Sequence, residues 1–318
     1  MTAAPQVVVA VLTYRRTPLL TALLPDLVAQ AGTLPRPADV LVVDNDPEAG
    51  ARAAVAALAV PGVRYVHEPR PGIAAARNRA LDEAADADAL VFLDDDELPG
   101  TAWLARLVSS WQEWGCAAVT GPVVARFTGP VDPWVAGSGA FDRRRLRTGT
   151  VMRGAATNNL LLDLAAVTAR GLRFDERLGL TGGEDTAFTH ALTGSGGEIR
   201  WCDEAEVVEP VAAERATRAW VLRRTFRAGS SWARARLRQA GPGPRGWAAR
   251  AALAARAVAR MAQATAALAV AAAHHDLPRR GRATCQLVSH AGLLAGLGGF
   301  VYGEYARPAT PAPDGVRP

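Results

Sequence analysis

Four short apolar runs alternate with helical stretches and end in polar residues, and this pattern limits the possible folds more than any other feature. The runs are QVVVAVLTY (6–14), DVLVVDN (39–45), VRYVHEP (63–69) and ALVFLDDD (89–96). Their length and β-branched content mark buried strands. Between them, TPLLTALLPDLVAQ (17–30), PEAGARAAVAALAV (47–60) and GIAAARNRALDEAA (72–85) carry helical spacing. The first opens with Thr17-Pro18, read as a cap followed by proline in the first turn. Alternation at this pace predicts βαβ units and a mostly parallel sheet. Right-handed crossovers then place ligands at the carboxyl ends of the strands. Three of those ends carry Thr13-Tyr14-Arg15, Asp44-Asn45-Asp46 and Asp94-Asp95-Asp96.

The chain then becomes less regular. Residues 116–127 read as a strand with a turn, and 128–150 as a Gly-, Pro- and Arg-rich loop. Residues 155–171 read as a strand leading into a helix, 179–196 as a glycine turn feeding a helix, and 198–210 as a strand pair or a strand plus loop. Arginine-rich residues 214–238 form a helix, GPGPRG (241–246) punctuates it, and two Ala-rich helices follow at about 247–275 and 282–305. The expected organisation is a catalytic domain at 1–213, a basic helical extension at 214–306 and a disordered tail at 307–318.

Charge is segregated along the 318 residues. Residues 1–214 carry 19 Arg against 28 acids, and residues 215–318 carry 17 Arg against 3 acids. A basic tail on an acidic body points to an anionic partner: a membrane surface, nucleic acid or the body itself. All 36 basic residues are arginine, which excludes a Walker-A loop and a Schiff-base lysine. Cys116, Cys202 and Cys285 have no metal-like spacing, and a reducing compartment is expected. No basic residue precedes the first apolar run, which has strand length, so a signal peptide is not expected.

Within LVFLDDDELPG (90–100) the carboxylates crowd the end of an apolar strand. Asp94 and Asp96, two residues apart on an extended segment, share a face and suit a hard divalent cation or a nucleotide; a solvated acidic turn is the plainer reading. Asp44 offers hydrogen-bond acceptance to a base or ribose, whereas Asp46-Pro47 fits a helix cap. Arg77 and Asn78 suit phosphate or base contacts, or a solvated helix face. Glu184 and Asp185 follow Gly182-Gly183 at a helix start. They fit dipole capping, or a general base on a glycine loop.

Taken in order, VVVAVLTYRRTPLL, VVDND, PGIAAARNRAL, FLDDDELP and GGEDTAF resemble the family 2 glycosyltransferases over about residues 6–210. That resemblance implies a GT-A α/β fold, with a mostly parallel central sheet flanked by helices and a C-terminal helical extension. It also implies inverting transfer of one sugar from a nucleoside-diphosphate sugar to a hydroxyl, in cell-surface polysaccharide or glycolipid synthesis. The cofactor it implies is Mn2+ or Mg2+. By position, Thr13, Tyr14 and Arg15 would border the donor, Asp44 would accept from the base, and Arg77 and Asn78 would lie beside the nucleotide. Asp94 would face ribose and metal, Asp95 would border the donor, and Asp96 would ligate the metal. Asp185 would be the base, with Glu184 as support or second candidate. The Gln-x-x-Arg-Trp element of processive members is absent. RRTFRAGSSWAR (223–234) takes its place, where Arg223, Arg224 or Arg227 would contact diphosphate.

The Ala-rich helices contain Arg250, Arg256 and Arg260, costly in a membrane span. They are expected to lie on an anionic inner leaflet or to pack on the body. The acceptor implied is a sugar or lipid-linked saccharide, with no nucleic acid, and the location cytoplasmic and peripheral. A sugar-nucleotide pyrophosphorylase would need a basic glycine loop at the first strand. A D-x-D phosphatase would need its motif on the first strand and a lysine. A non-enzymatic basic module would leave the acidic rim idle.

Overall fold

The computed structural model describes residues 3–143, 145–180 and 182–300. The first 96 residues alternate as expected: β1 (Val7–Thr13), α1 (Thr17–Ala31), β2 (Asp39–Asp44), α2 (Arg52–Leu58), β3 (Val63–His67), α3 (Ile73–Glu83) and β4 (Ala89–Asp94). These strands pair in parallel in the order β3-β2-β1-β4. Thr13 lies opposite Asp44, and Leu12 opposite Asp94, so the polar strand ends share one rim. Alternation within each strand splits the core. Val7, Val9, Val11, Val40, Val42 and Val91 pack on one face. Val8, Ala10, Leu41, Val43, Leu90 and Phe92 pack on the other. Strands buried on both faces have no polar side to show, hence the continuous apolar runs.

Two local readings need correction. Arg16, not Thr17, occupies the cap position of α1, and Thr17 is already helical. The helix expected from residue 47 starts only at Arg52. The Asp44 carboxylate holds the preceding turn by accepting from the Asp46 and Ala51 amides at 3.0 and 2.9 Å.

The chain continues through β5 (Leu98–Pro99), α4 (Trp103–Trp114), β6 (Ala118–Thr120), β7 (Val123–Phe127), α5 (Pro133–Ala136), β8 (Val151–Met152), β9 (Asn159–Asp163) and α6 (Leu164–Ala169). A 3-10 turn at Glu176–Leu178 precedes α7 (Glu184–Gly194), β10 (Ile199–Trp201) and β11 (Val207–Val211). Among the described residues the main sheet runs β3-β2-β1-β4-β9-β6-β10-β8, with β9 antiparallel to both neighbours. A small sheet, β5-β11-β7, stands beside it. The Gly121-Pro122 turn sends the two halves of 116–127 into different sheets, and the stretch read as a loop at 128–150 contains α5, capped by Asp132. α4, unassigned from sequence, seats a fully buried Trp103 under the sheet.

Three helices complete the molecule: α8 (Arg218–Ala240), α9 (Pro244–Ala273) and α10 (Leu277–Leu297). A third apolar cluster of Trp134, Val135, Phe141, Val211, Val221 and Cys285 joins α8 and α10 to the body. Among the described residues no helix is long and apolar enough to cross a membrane. The expected disordered tail, 307–318, lies outside the described residues.

Candidate active site

The rim formed by β1 and β4 opens into a cleft of about 1030 Å3, closed on the opposite side by α8. Its floor is acidic. Thr13, Tyr14, Asp94, Asp95, Asp96 and Glu97 all line it. Asp94 and Asp96 are partly exposed while Asp95 and Glu97 are buried; the extended segment expected here stops at Asp94, and a turn, closed by the Glu97 amide donating to the Asp94 carbonyl at 3.3 Å, carries Asp95 and Asp96. The Thr13 hydroxyl donates to Asp95 Oδ2 at 2.7 Å, locking β1 to β4. Glu97 accepts from Asn158 Nδ2 at 2.6 Å.

Burial pushes the Asp94 carboxyl up to about 6; Arg77 opposes this and Asp96 and Asp95 reinforce it. Burial also raises Asp95, against Arg16 and the Thr13 hydrogen bond. Glu97 is lifted well above the carboxylate range by burial and by the Asp94 charge. Several carboxyls so close together call for positive charge in the cleft.

Arginines supply part of it. Asp96 Oδ2 meets Arg16 Nη1 at 3.0 Å and Arg215 Nη1 at 3.2 Å. Arg215 reaches on to Glu209 at 2.6 Å, and Arg143 meets Glu209 from the other side. Arg215 and Arg224 also lie over the Trp220 ring, at 5.2 and 5.1 Å. Arg224 and Arg227 face the cleft from α8, whereas Arg223 does not line it.

Two partly exposed carboxylates at a polar rim, one already drawing two guanidinium groups, fit a hard cation. Among the described residues no group of three or more His, Cys, Asp or Glu could hold an ion alone.

Several expected donor contacts are placed elsewhere. Asp44 is fully buried, and its Oδ2 also accepts from the Tyr65 hydroxyl at 2.8 Å, so the carboxylate shapes a turn and does not line the cleft. Arg15, at φ +56°, turns outward to Asp46 at 3.2 Å. Arg77 is buried against Glu184 and covers the Phe174 ring. Asn78 clamps the Phe174 backbone, donating to its carbonyl at 3.0 Å and accepting from its amide at 2.9 Å. Neither Arg77 nor Asn78 lines the cleft. Together with the Arg70–Glu176 pair at 3.1 Å they anchor the segment leading into α7. Each was expected beside the nucleotide on sequence order alone, and each is drawn inward by a partner about 100 residues away.

Gly182 and Gly183, both at positive φ, turn the chain into α7. Glu184 is buried in its pair with Arg77, leaving Asp185 partly exposed on the first turn. Asp185 Oδ1 accepts from the Thr186 amide at 2.6 Å. Of the two acids, Asp185 is the more exposed, and neither lines the cleft.

Sequence reading missed Arg16, Glu97, Asn158, Arg143, Glu209, Arg215 and Trp220. Only the first three had a local signal: they adjoin a strand end, the aspartate cluster and the Asn-Asn doublet before β9. The others arrive through tertiary contacts.

The sheet order, the carboxylate rim at β4 and the glycine-acid start of α7 define a transferase of GT-A fold. Residues 8–191 match Glycosyl transferase family 2. The succinoglycan biosynthesis protein ExoM of Rhizobium meliloti (strain 1021) is 38% identical over 302 residues, which span 92% of this chain and 93% of that one. Among solved structures, the mannosyltransferase PcManGT from Pyrobaculum calidifontis, in complex with GDP-Man and Mn2+, is similar at TM-score 0.60 and 25% identity. The match covers 93% of this chain and 88% of that one. S. aureus TarS shares the fold at TM-score 0.52 and 15% identity, over 72% of this chain and 42% of its own. The chain belongs to glycosyl transferase family 2 and is a glycosyltransferase.

Proposed function

We propose that this enzyme moves a single sugar, with inversion, from a nucleoside-diphosphate sugar to a hydroxyl of a saccharide acceptor in cell-surface polysaccharide or glycolipid synthesis. The observation that carries this reading is the cleft that sets Asp94 and Asp96 opposite the arginines of α8. The likeness to ExoM, named for succinoglycan biosynthesis, supports the polysaccharide setting, and PcManGT, bound to GDP-Man and Mn2+, supports the donor class.

Asp94 and Asp96 would hold Mn2+ or Mg2+, which when bound supplies charge to the departing diphosphate. Arg224 and Arg227 face the same space and suit the diphosphate oxygens. Asp185 takes the proton of the acceptor hydroxyl as its oxygen bonds to the anomeric carbon. The bond from that carbon to the diphosphate oxygen breaks, its electron pair leaves with the nucleotide, and single displacement inverts the centre. Glu184, paired with Arg77, holds the start of α7 in place. Single transfer rather than polymerisation rests on the missing processive element.

The test is equilibrium binding of UDP, GDP and dTDP with Mn2+ or Mg2+, with Asp96→Ala as control. Metal-dependent binding lost in the variant is expected; no nucleoside diphosphate binding to the wild type would end the reading.

We also propose a peripheral, cytoplasmic position on an anionic bilayer, through α9. That helix carries no acid and exposes Trp247, Val258 and Val270 beside Arg245, Arg256 and Arg260. Exposed apolar side chains and arginines on one acid-free helix suit the interface of an anionic membrane.

A further inference from the structure

Asp96 Oδ2 is shared by two guanidinium groups, and the two are tethered differently. Arg16 reaches it through Nη1 at 3.0 Å, and the same nitrogen meets Asp95 Oδ1 at 3.1 Å. The Arg16 side chain is half exposed, so its place at the rim depends on those two carboxylates. Arg215 meets Asp96 Oδ2 through Nη1 at 3.2 Å, while its Nη2 is tied to Glu209 Oε1 at 2.6 Å. Its guanidinium lies over the Trp220 ring, which itself stacks on Phe141 at 5.7 Å. The Arg215 amide donates to the Ala212 carbonyl at 2.9 Å, fixing the turn between β11 and α8. Glu209 is buried, and Arg143 holds its other oxygen at 2.5 Å. When Asp96 turns to a cation, Arg16 can swing into solvent, whereas Arg215 must stay in the cleft.

We propose that Arg215 couples cation binding to nucleotide binding: it holds Asp96 until a cation takes that carboxylate and then, still tethered by Glu209, offers the freed guanidinium edge to the diphosphate. This rests on the glycosyltransferase reading of the cleft. A guanidinium kept beside a newly bound cation repels it unless an anion lies between them. A diphosphate supplies that anion, and its oxygens suit the edge of the planar guanidinium. The cation therefore binds weakly alone and tightly with nucleotide. By linkage the nucleotide gains the same factor from the cation. The cleft so arranged favours the joined cation and diphosphate over either one by itself.

The test measures Mn2+ binding to the full chain by electron paramagnetic resonance of the free ion. It is run with and without the nucleoside diphosphate that the wild type binds best among UDP, GDP and dTDP. Arg215→Gln leaves Glu209 paired with Arg143, so no buried acid is orphaned. In this variant Mn2+ alone should bind about fivefold more tightly, the scale of one partly exposed ion pair. Nucleotide binding in saturating Mn2+ should weaken about tenfold, the loss of one charge-assisted contact. Changes of opposite sign are what a general loss of structure cannot produce. Arg16→Gln should also tighten Mn2+ alone, yet retain most of the nucleotide's enhancement of Mn2+ binding. Affinity for Mn2+ alone that is unchanged or weaker in Arg215→Gln overturns the proposal, and so does an equal loss of the enhancement in both variants. Failure of the donor reading would show separately, as absent nucleotide binding in the wild type with the effect of Arg215→Gln on Mn2+ alone still present.

Discussion

Arg77 and Glu184 are 7% and 4% exposed and face each other between α3 and α7. Removing one leaves the other as an uncompensated buried charge. Arg77→Ala should therefore cost about 3–5 kcal/mol of stability, read as a lower urea midpoint. It should also lower turnover, because the segment carrying Asp185 loses its anchor. Asp185→Asn acts on chemistry alone: turnover should fall by about 10²–10⁴-fold with nucleotide affinity retained. Retained turnover would transfer the role to Glu184. Tyr65 offers a test of the β2 rim. Burial and its hydrogen bond to Asp44 raise its pKa from 10.0 to about 12. A folded-state pKa raised above the unfolded value means that the stabilisation is complete below pH 10.0 and is lost as pH climbs through about 12. One of the four tyrosines should thus stay protonated after the usual range, by phenolate absorbance, and Tyr65→Phe should remove that late step.

At the scale of elements, the active-site wall depends on how closely α10 approaches α8. A β-carbon at Gly292 would lie 2.1 Å from the Phe226 carbonyl oxygen, and one at Gly296 would lie 2.5 Å from that of Ser230. These glycines, one helical turn apart, let the two backbones nearly touch. Since α8 carries Arg224 and Arg227 into the cleft, the spacing of a distant helix pair sets the position of the arginine wall. Gly292→Val should destabilise the protein by about 1–3 kcal/mol through overpacking. It should also weaken nucleotide binding although it touches no ligand; an unchanged nucleotide affinity would separate α10 from the cleft.

Across the whole molecule, the basic tail and acidic body turn out to be partly each other's partners. Arg215 meets Asp96 and Glu209, Arg218 meets Asp132 at 2.6 Å, and Arg282 meets Asp142 at 2.9 Å. The positive charge left facing outward includes Arg245, Arg256 and Arg260 of α9. Deleting residues 241–318 would strip α10 from α5 and α8 and expose the apolar cluster beneath, so charge removal is the cleaner experiment. Changing those three arginines to glutamine should reduce co-sedimentation with anionic vesicles, and salt should weaken the wild type's binding in the same way. Binding indifferent to both would leave α9 with a packing role only.

The parallel half of the sheet, the carboxylate rim and the glycine-acid start of α7 were legible in the sequence because each depends on local pattern. Apolar runs of strand length, alternation and turn glycines act over a few residues, and five ordered motifs disclosed the family. The antiparallel insertion of β9 and the burial of α4 were beyond local pattern. Position along the chain could not separate Asp44, Arg77 and Asn78, which turn inward to shape the scaffold, from Arg16, Arg215 and Trp220, which reach the cleft. Which way a polar side chain turns depends on the partner that desolvates it: for Arg77 and Asn78 that partner lies about 100 residues away, and for Asp44 it is a nearby turn and the Tyr65 hydroxyl of the neighbouring strand. Local order wrote the carboxylate rim, whereas only tertiary packing decided which charges face the cleft and which hold the rim together.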